Sequence, residues 1–152
     1  MRRLFALVAP CLLLAPLGAL AQTHPPGFDD VLFASGLFEP TTLAAMPGGR
    51  LLVGERGGVI RVFQHGVPLP RPLLSLAVET YEEQGLLGMA PHPQFPSPPW
   101  LYVFYTPFTG AQPAPFNRVS RFTVEADTAV AGSEVVLLGS IPTGLGWHQA
   151  GC

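Results

Sequence analysis

The stretch that decides the fold is Gly48–Phe63, GGRLLVGERGGVIRVF. Two short apolar runs, Arg50–Gly54 and Val59–Phe63, are separated by a few residues that include Gly57-Gly58. A glycine pair at that spacing suits the backbone angles of a tight hairpin, and the first run is itself preceded by Pro47-Gly48-Gly49. The same rhythm continues on both sides. Runs at Val31–Phe33, Thr41–Met46, Leu73–Val78, Leu86–Met89, Trp100–Tyr105, Val119–Val124 and Val135–Leu138 are each bounded by turn residues. None has the length or the 3.6-residue period of a buried helix. Glycine (17) and proline (18) punctuate the 152 residues too often for long helices. The expectation is an antiparallel, all-β chain.

A weak internal repeat overlies these runs. Leu43–Pro47 returns as Leu87–Pro91, Arg50–Arg56 as Trp100–Thr106, and Val59 with Arg61 as Val119 with Arg121. The growing offset places insertions at His92–Pro99 and Pro107–Asn117. Several short strands repeating at this interval read either as blades of a β-propeller or as chance likeness among apolar hairpins. On the propeller reading, residues 41–138 hold about two blades and Gly139–Cys152 leads into a third. Since such rings close with about four to eight blades, the chain is expected to be the N-terminal portion of a longer protein or a truncated gene product.

The first 21 residues read differently. Arg2 and Arg3 precede an apolar run from Leu4 to Leu20, and Ala19-Leu20-Ala21 offers the small residues that a signal peptidase accepts. Pro10 and Pro16 break a run that is already short for a bilayer. Residues 1–21 are therefore expected to be a secretory signal, residues 22–152 the mature domain, and the destination periplasmic or extracellular, with no membrane span once the signal is removed. Cleavage would leave Cys152 as the single cysteine, which rules out a disulfide within the chain. It would also leave six arginines against ten carboxylates, and the chain contains no lysine. A nucleic-acid surface needs clustered cations, so that partner is excluded. No Walker loop, dinucleotide fingerprint, nucleophile elbow or zinc motif occurs.

The most specific stretch is Tyr81–Phe95, YEEQGLLGMAPHPQF, leading into WLYVFYTPF at Trp100–Phe108. Together with Gly48–Phe63 and the terminal Gly146–Cys152, GWHQAGC, it resembles the pyrroloquinoline-quinone-dependent sugar dehydrogenases, the soluble glucose, aldose and sorbosone dehydrogenases. The resemblance covers about residues 28–152 and implies a six-bladed propeller with the quinone on the central axis, of which this chain holds about two blades and the start of a third.

The resemblance also implies roles. His148 matches the family's catalytic histidine, a general base that takes the substrate hydroxyl proton while hydride passes to the quinone; neutral imidazole suits that task near neutral pH. Gln84 matches a glutamine that hydrogen-bonds the sugar in the same mouth. Trp147 departs from the family, which often has an acidic residue or asparagine there; its indole would narrow a sugar pocket or give it a stacking face. Quinone and calcium are implied cofactors whose ligands lie mostly on later blades, so none is assigned here. The implied function is an exported oxidoreductase acting on a small sugar. The alternative is a non-catalytic secreted propeller, like the hedgehog-interacting proteins, that binds a protein or glycan and has no need of a base at position 148. His24, His65 and His92 read as residues of the lead and of turns, and the Asp29-Asp30 and Glu82-Glu83 pairs as solvated edges.

Overall fold

A computed structural model describes residues 24–149. The signal assigned to residues 1–21 lies outside them. The chain divides into two compact units, Met1–Val31 and Leu32–Cys152. Within the described part of the first, the Phe28 N–H donates to the Pro25 carbonyl at 3.1 Å and His24 lies 3.2 Å from Asp30.

The second unit contains ten strands and, among the described residues, no helix: β1 (Pro40–Met46), β2 (Arg50–Glu55), β3 (Val59–Gln64), β4 (Val67–Pro68), β5 (Leu74–Ser75), β6 (Leu86–Pro91), β7 (Trp100–Tyr105), β8 (Phe116–Glu125), β9 (Thr128–Ala129) and β10 (Val135–Pro142). They form two antiparallel sheets. The first runs β1-β2-β3-β4, with β5 also on β3; the second runs β6-β7-β8-β10, with β9 on β8. The repeat seen in the sequence is thus structural: β1, β2 and β3 correspond to β6, β7 and β8, in the same order and with the same antiparallel pairing.

The two sheets share one core, in which Leu52, Ile60 and Val62 of the first meet Leu101, Val103 and Phe122 of the second. The two sheets thus stack as successive layers around this core. The face of the second sheet that remains carries half-buried Trp100, Tyr102 and Phe104, with the Arg121 guanidinium 4.2 Å from the Trp100 ring centroid.

Three sequence expectations shift. Val31–Phe33 forms no strand; the Phe33 ring packs against Phe63, with centroids 6.2 Å apart. Leu73–Val78 pairs regularly only at Leu74–Ser75, with Val78 bridging to Pro107. Gly139–Pro142 does not lead away to another blade. It belongs to β10, whose register breaks between Val136 and Leu138 and again before Ile141, so pairing resumes beyond the irregularity and completes the second sheet.

Candidate functional site

Two linkers reach the same end of the second sheet, and cross-strand register shows why. Leu86 at the start of β6 pairs with Tyr105 at the end of β7, Tyr105 pairs with Arg118 of β8, and Phe116 pairs with Pro142 at the end of β10. The linker that precedes β6 and the one that follows β10 therefore emerge at the same end of the sheet, from its two opposite edges, and meet where Glu83 touches Gly146 and His148. The first carries Gln84 and the second Trp147 and His148.

The first linker is tied down by Arg56, which follows β2. Its guanidinium donates to the carbonyls of Thr80 at 2.8 Å and Glu82 at 3.0 Å, and makes a two-pronged pair with Glu39 at 3.0 Å per bond. A planar fork of donors suits several acceptors held at fixed angles. The Arg56 carbonyl accepts from the Leu86 N–H at 2.9 Å. Gly85 passes so close to this backbone that a Cβ there would lie 2.5 Å from the Arg56 carbonyl oxygen, which leaves glycine as the only residue that fits.

Gln84 is fully buried. Its Nε2 donates to the Ala114 carbonyl at 2.9 Å and its Oε1 accepts from the Ala114 N–H at 3.1 Å. Both amide atoms are thus spent on one backbone unit of the Pro107–Asn117 insertion. The Ala114 carbonyl also accepts from the Thr143 hydroxyl at 2.5 Å, where the second linker begins.

The second linker, residues 143–149, is held by amides. Gln149 Nε2 donates to the carbonyls of Thr143 at 3.0 Å and Trp147 at 2.9 Å, while its Oε1 accepts from Asn117 Nδ2 at 2.7 Å. Asn117 Oδ1 in turn accepts from the Thr106 hydroxyl at 2.6 Å, and Thr106 Oγ1 accepts from the Gly85 N–H at 3.3 Å. One buried polar chain therefore runs from the first linker through β7 and β8 into the second. Buried polar groups demand such partners.

Glu83 closes the gap from the outside. Its N–H donates to the Gly146 carbonyl at 3.2 Å, and its carboxylate accepts from the backbone N–H of His148 at 2.6 Å. His148 has a left-handed backbone, φ 56°. Its side chain is exposed, and its imidazole makes no hydrogen bond among the described residues. Trp147 beside it is 52% exposed. An uncommitted imidazole next to an open indole, on a rigid polar base, can accept a proton from a hydroxyl and offer the rest of a polyol an aromatic face.

The structure brings Gln84 and His148 to one end of the molecule, as their places in the sequence implied, but in different states: one buried with its polar atoms committed, the other open. Sequence reasoning missed Arg56, Thr106, Asn117, Gln149 and the carboxylate of Glu83. Arg56 and Thr106 had a signal, since they are repeat partners and each is a polar residue directly after a strand. The other two histidines of this unit stay apart from this end. His65 occupies a turn, and His92 packs edge-on to Trp100 while its Nδ1 accepts from the Gln94 N–H.

Residues 37–152 match the glucose/sorbosone dehydrogenase family. An oxidoreductase assigned as a glucose dehydrogenase from Thermus thermophilus is 35% identical, with a TM-score of 0.63 over 72% of this chain and 32% of that one. The PQQ-bound aldose sugar dehydrogenase of Streptomyces coelicolor is 28% identical, with a TM-score of 0.58 over 74% of this chain and 34% of that one. An uncharacterized protein from Synechocystis sp. is 31% identical over 117 residues, 71% of this chain and 28% of its own length. The chain thus spans about a third of the length of the relatives it matches.

Proposed function

The chain belongs to the glucose/sorbosone dehydrogenase family, and from that premise we propose that it is part of an exported, quinone-dependent sugar dehydrogenase in which His148 is the general base. The observation that carries the reading is the second linker. There an exposed, uncommitted imidazole is presented on a turn whose own polar groups are satisfied. Neutral imidazole Nε2 or Nδ1 would take the proton of a sugar hydroxyl as hydride leaves the carbon. Pyrroloquinoline quinone, bound by the S. coelicolor relative, would supply the hydride acceptor, and calcium is proposed from the family resemblance alone.

The described residues do not form a seat for either group. They contain no cluster of three or more acidic, histidine or cysteine side chains placed to hold a metal, and Arg56, a cation at this end, is committed to Glu39 and to carbonyl oxygens. The part played by this chain is therefore confined to the sugar. His148 holds the proton, Trp147 offers a ring face, and Gln84 serves the mouth by fixing Ala114; a direct bond from Gln84 to sugar would require it to release that backbone unit. Export rests on the composition of residues 1–21, and the intact mass of the exported protein should place its first residue at Gln22.

The deciding experiment uses the complete protein loaded with quinone and calcium, assayed on a panel of aldoses with a dye acceptor. His148→Ala should lower kcat and kcat/KM together, by about a hundredfold or more, with quinone binding retained. Oxidation at the parental rate by that variant overturns the assignment. A parent that neither binds quinone nor oxidises sugars would favour the binding propeller instead.

A further inference from the structure

We propose that Glu83 is a positioning residue for His148, acting on the backbone of the histidine and not on its ring. The inference rests on the reading of His148 as general base. A non-glycine residue with a left-handed backbone is uncommon and persists where its surroundings over-determine it, and His148 has φ 56°. Two sets of contacts do so here. From inside, Gln149 is fixed by Asn117 and by the carbonyls of Thr143 and Trp147. From outside, Glu83 touches the turn twice, through its own N–H to the Gly146 carbonyl at 3.2 Å and through its carboxylate to the His148 N–H at 2.6 Å. An ionised acceptor makes the second of these the stronger kind of hydrogen bond.

Glu83 is itself rigidly carried. The residue before it offers its carbonyl to Arg56 at 3.0 Å, and the residue after it, Gln84, is bonded twice to Ala114. The carboxylate is thus a fixed point against which the turn is set, and the imidazole stays unpaired. This differs from a carboxylate that bonds an imidazole N–H, where the charge itself alters basicity. Here the carboxylate supplies an acceptor at a place, and any acceptor of the same reach should serve.

That distinction gives the test, again in the complete quinone-loaded protein, with His148→Ala run in parallel. Glu83→Gln keeps an acceptor oxygen of the same reach and should retain kcat within about threefold. Glu83→Ala should lower kcat by about 10- to 100-fold with little change in KM, since misplacing a reacting group by about 1 Å costs on that scale. Glu83→Asp, one methylene too short, should fall with Ala. A second readout needs no quinone: amide hydrogen exchange across residues 144–149 should accelerate in the Ala and Asp variants and stay parental in the Gln variant. If His148→Ala is inactive while Glu83→Ala keeps both the parental kcat and the parental exchange, positioning by Glu83 is overturned and the base stands. If Gln and Ala lose activity equally, the carboxylate acts by charge and the backbone role is overturned. If His148→Ala is fully active, the base reading fails and takes this one with it. Should Glu83→Ala not fold, the Gln and Asp pair decides the matter by itself.

Discussion

Gln84 and His148 occupy comparable places in two successive linkers, each emerging at the same end of the second sheet, yet the molecule treats them in opposite ways. The first linker is locked by a charged fork from Arg56 and by Gln84, which is fully buried with both amide atoms on Ala114. The second is held by the amides of Gln149 and Asn117 and by the Glu83 carboxylate, and it leaves the imidazole of His148 in the open. The lesson concerns division of labour. If His148 is the base proposed above, the first linker supplies rigidity and the second the reactive group, with a hydrogen-bond chain joining the two.

The sharpest way to break this comparison is to exchange the expected phenotypes. His148→Ala should cost about a hundredfold in kcat and leave the unfolding midpoint of the complete protein nearly unchanged, because the side chain is exposed and makes no hydrogen bond among the described residues. Gln84→Ala should do the reverse. It leaves the buried Ala114 N–H without its partner, so chemical denaturation should show a loss of about 1–3 kcal/mol, with a smaller fall in kcat than His148→Ala gives. Equal loss of activity in the two variants, at equal stability, would put Gln84 in direct contact with the sugar.

Arg56→Lys sharpens the comparison further. A lysine retains the charge but cannot bond Glu39 through two prongs and two carbonyls at once, so about 0.5–1.5 kcal/mol should be lost in the same denaturation assay. The smallest expected effect lies outside both linkers. Glu55 and Glu134 are both held below the ordinary carboxylate value of 4.5. Burial works against ionisation at each, but at Glu55 it is outweighed by the hydrogen bonds from Arg61 and the Phe38 N–H and by the Arg61 charge. At Glu134 it is outweighed by the hydroxyls of Ser120 and Tyr105 and by Arg118. Carboxyls whose folded values are depressed contribute stability above their unfolded value and lose it as pH falls through the folded one. The unfolding midpoint should therefore decline on acidification below about pH 4.5, and less steeply once Glu55→Gln and Glu134→Gln are combined. An unchanged acid slope in the double variant would show that these two groups do not set it.

Much of this architecture was legible before any coordinate. Short apolar runs ending in Gly57-Gly58 or Pro47-Gly48-Gly49 determine hairpins locally, because turn chemistry and strand alternation act over a few residues. The repeat and the EQGLLG and HQAG stretches pointed to the family and to His148 by the same local means. What tertiary structure alone decided is which polar residues are buried and against what. Glu83 read as a solvated edge, yet its carboxylate bonds a residue 65 positions away; Gln84 read as a sugar contact, yet its amide meets one 30 positions away. Nothing within a few residues of either marks the partner, because that partner is set by the register of β6, β7, β8 and β10 and by the single face through which the two sheets stack. Burial and hydrogen-bond commitment are properties of that long-range packing, whereas the strand pattern is a property of the chain itself.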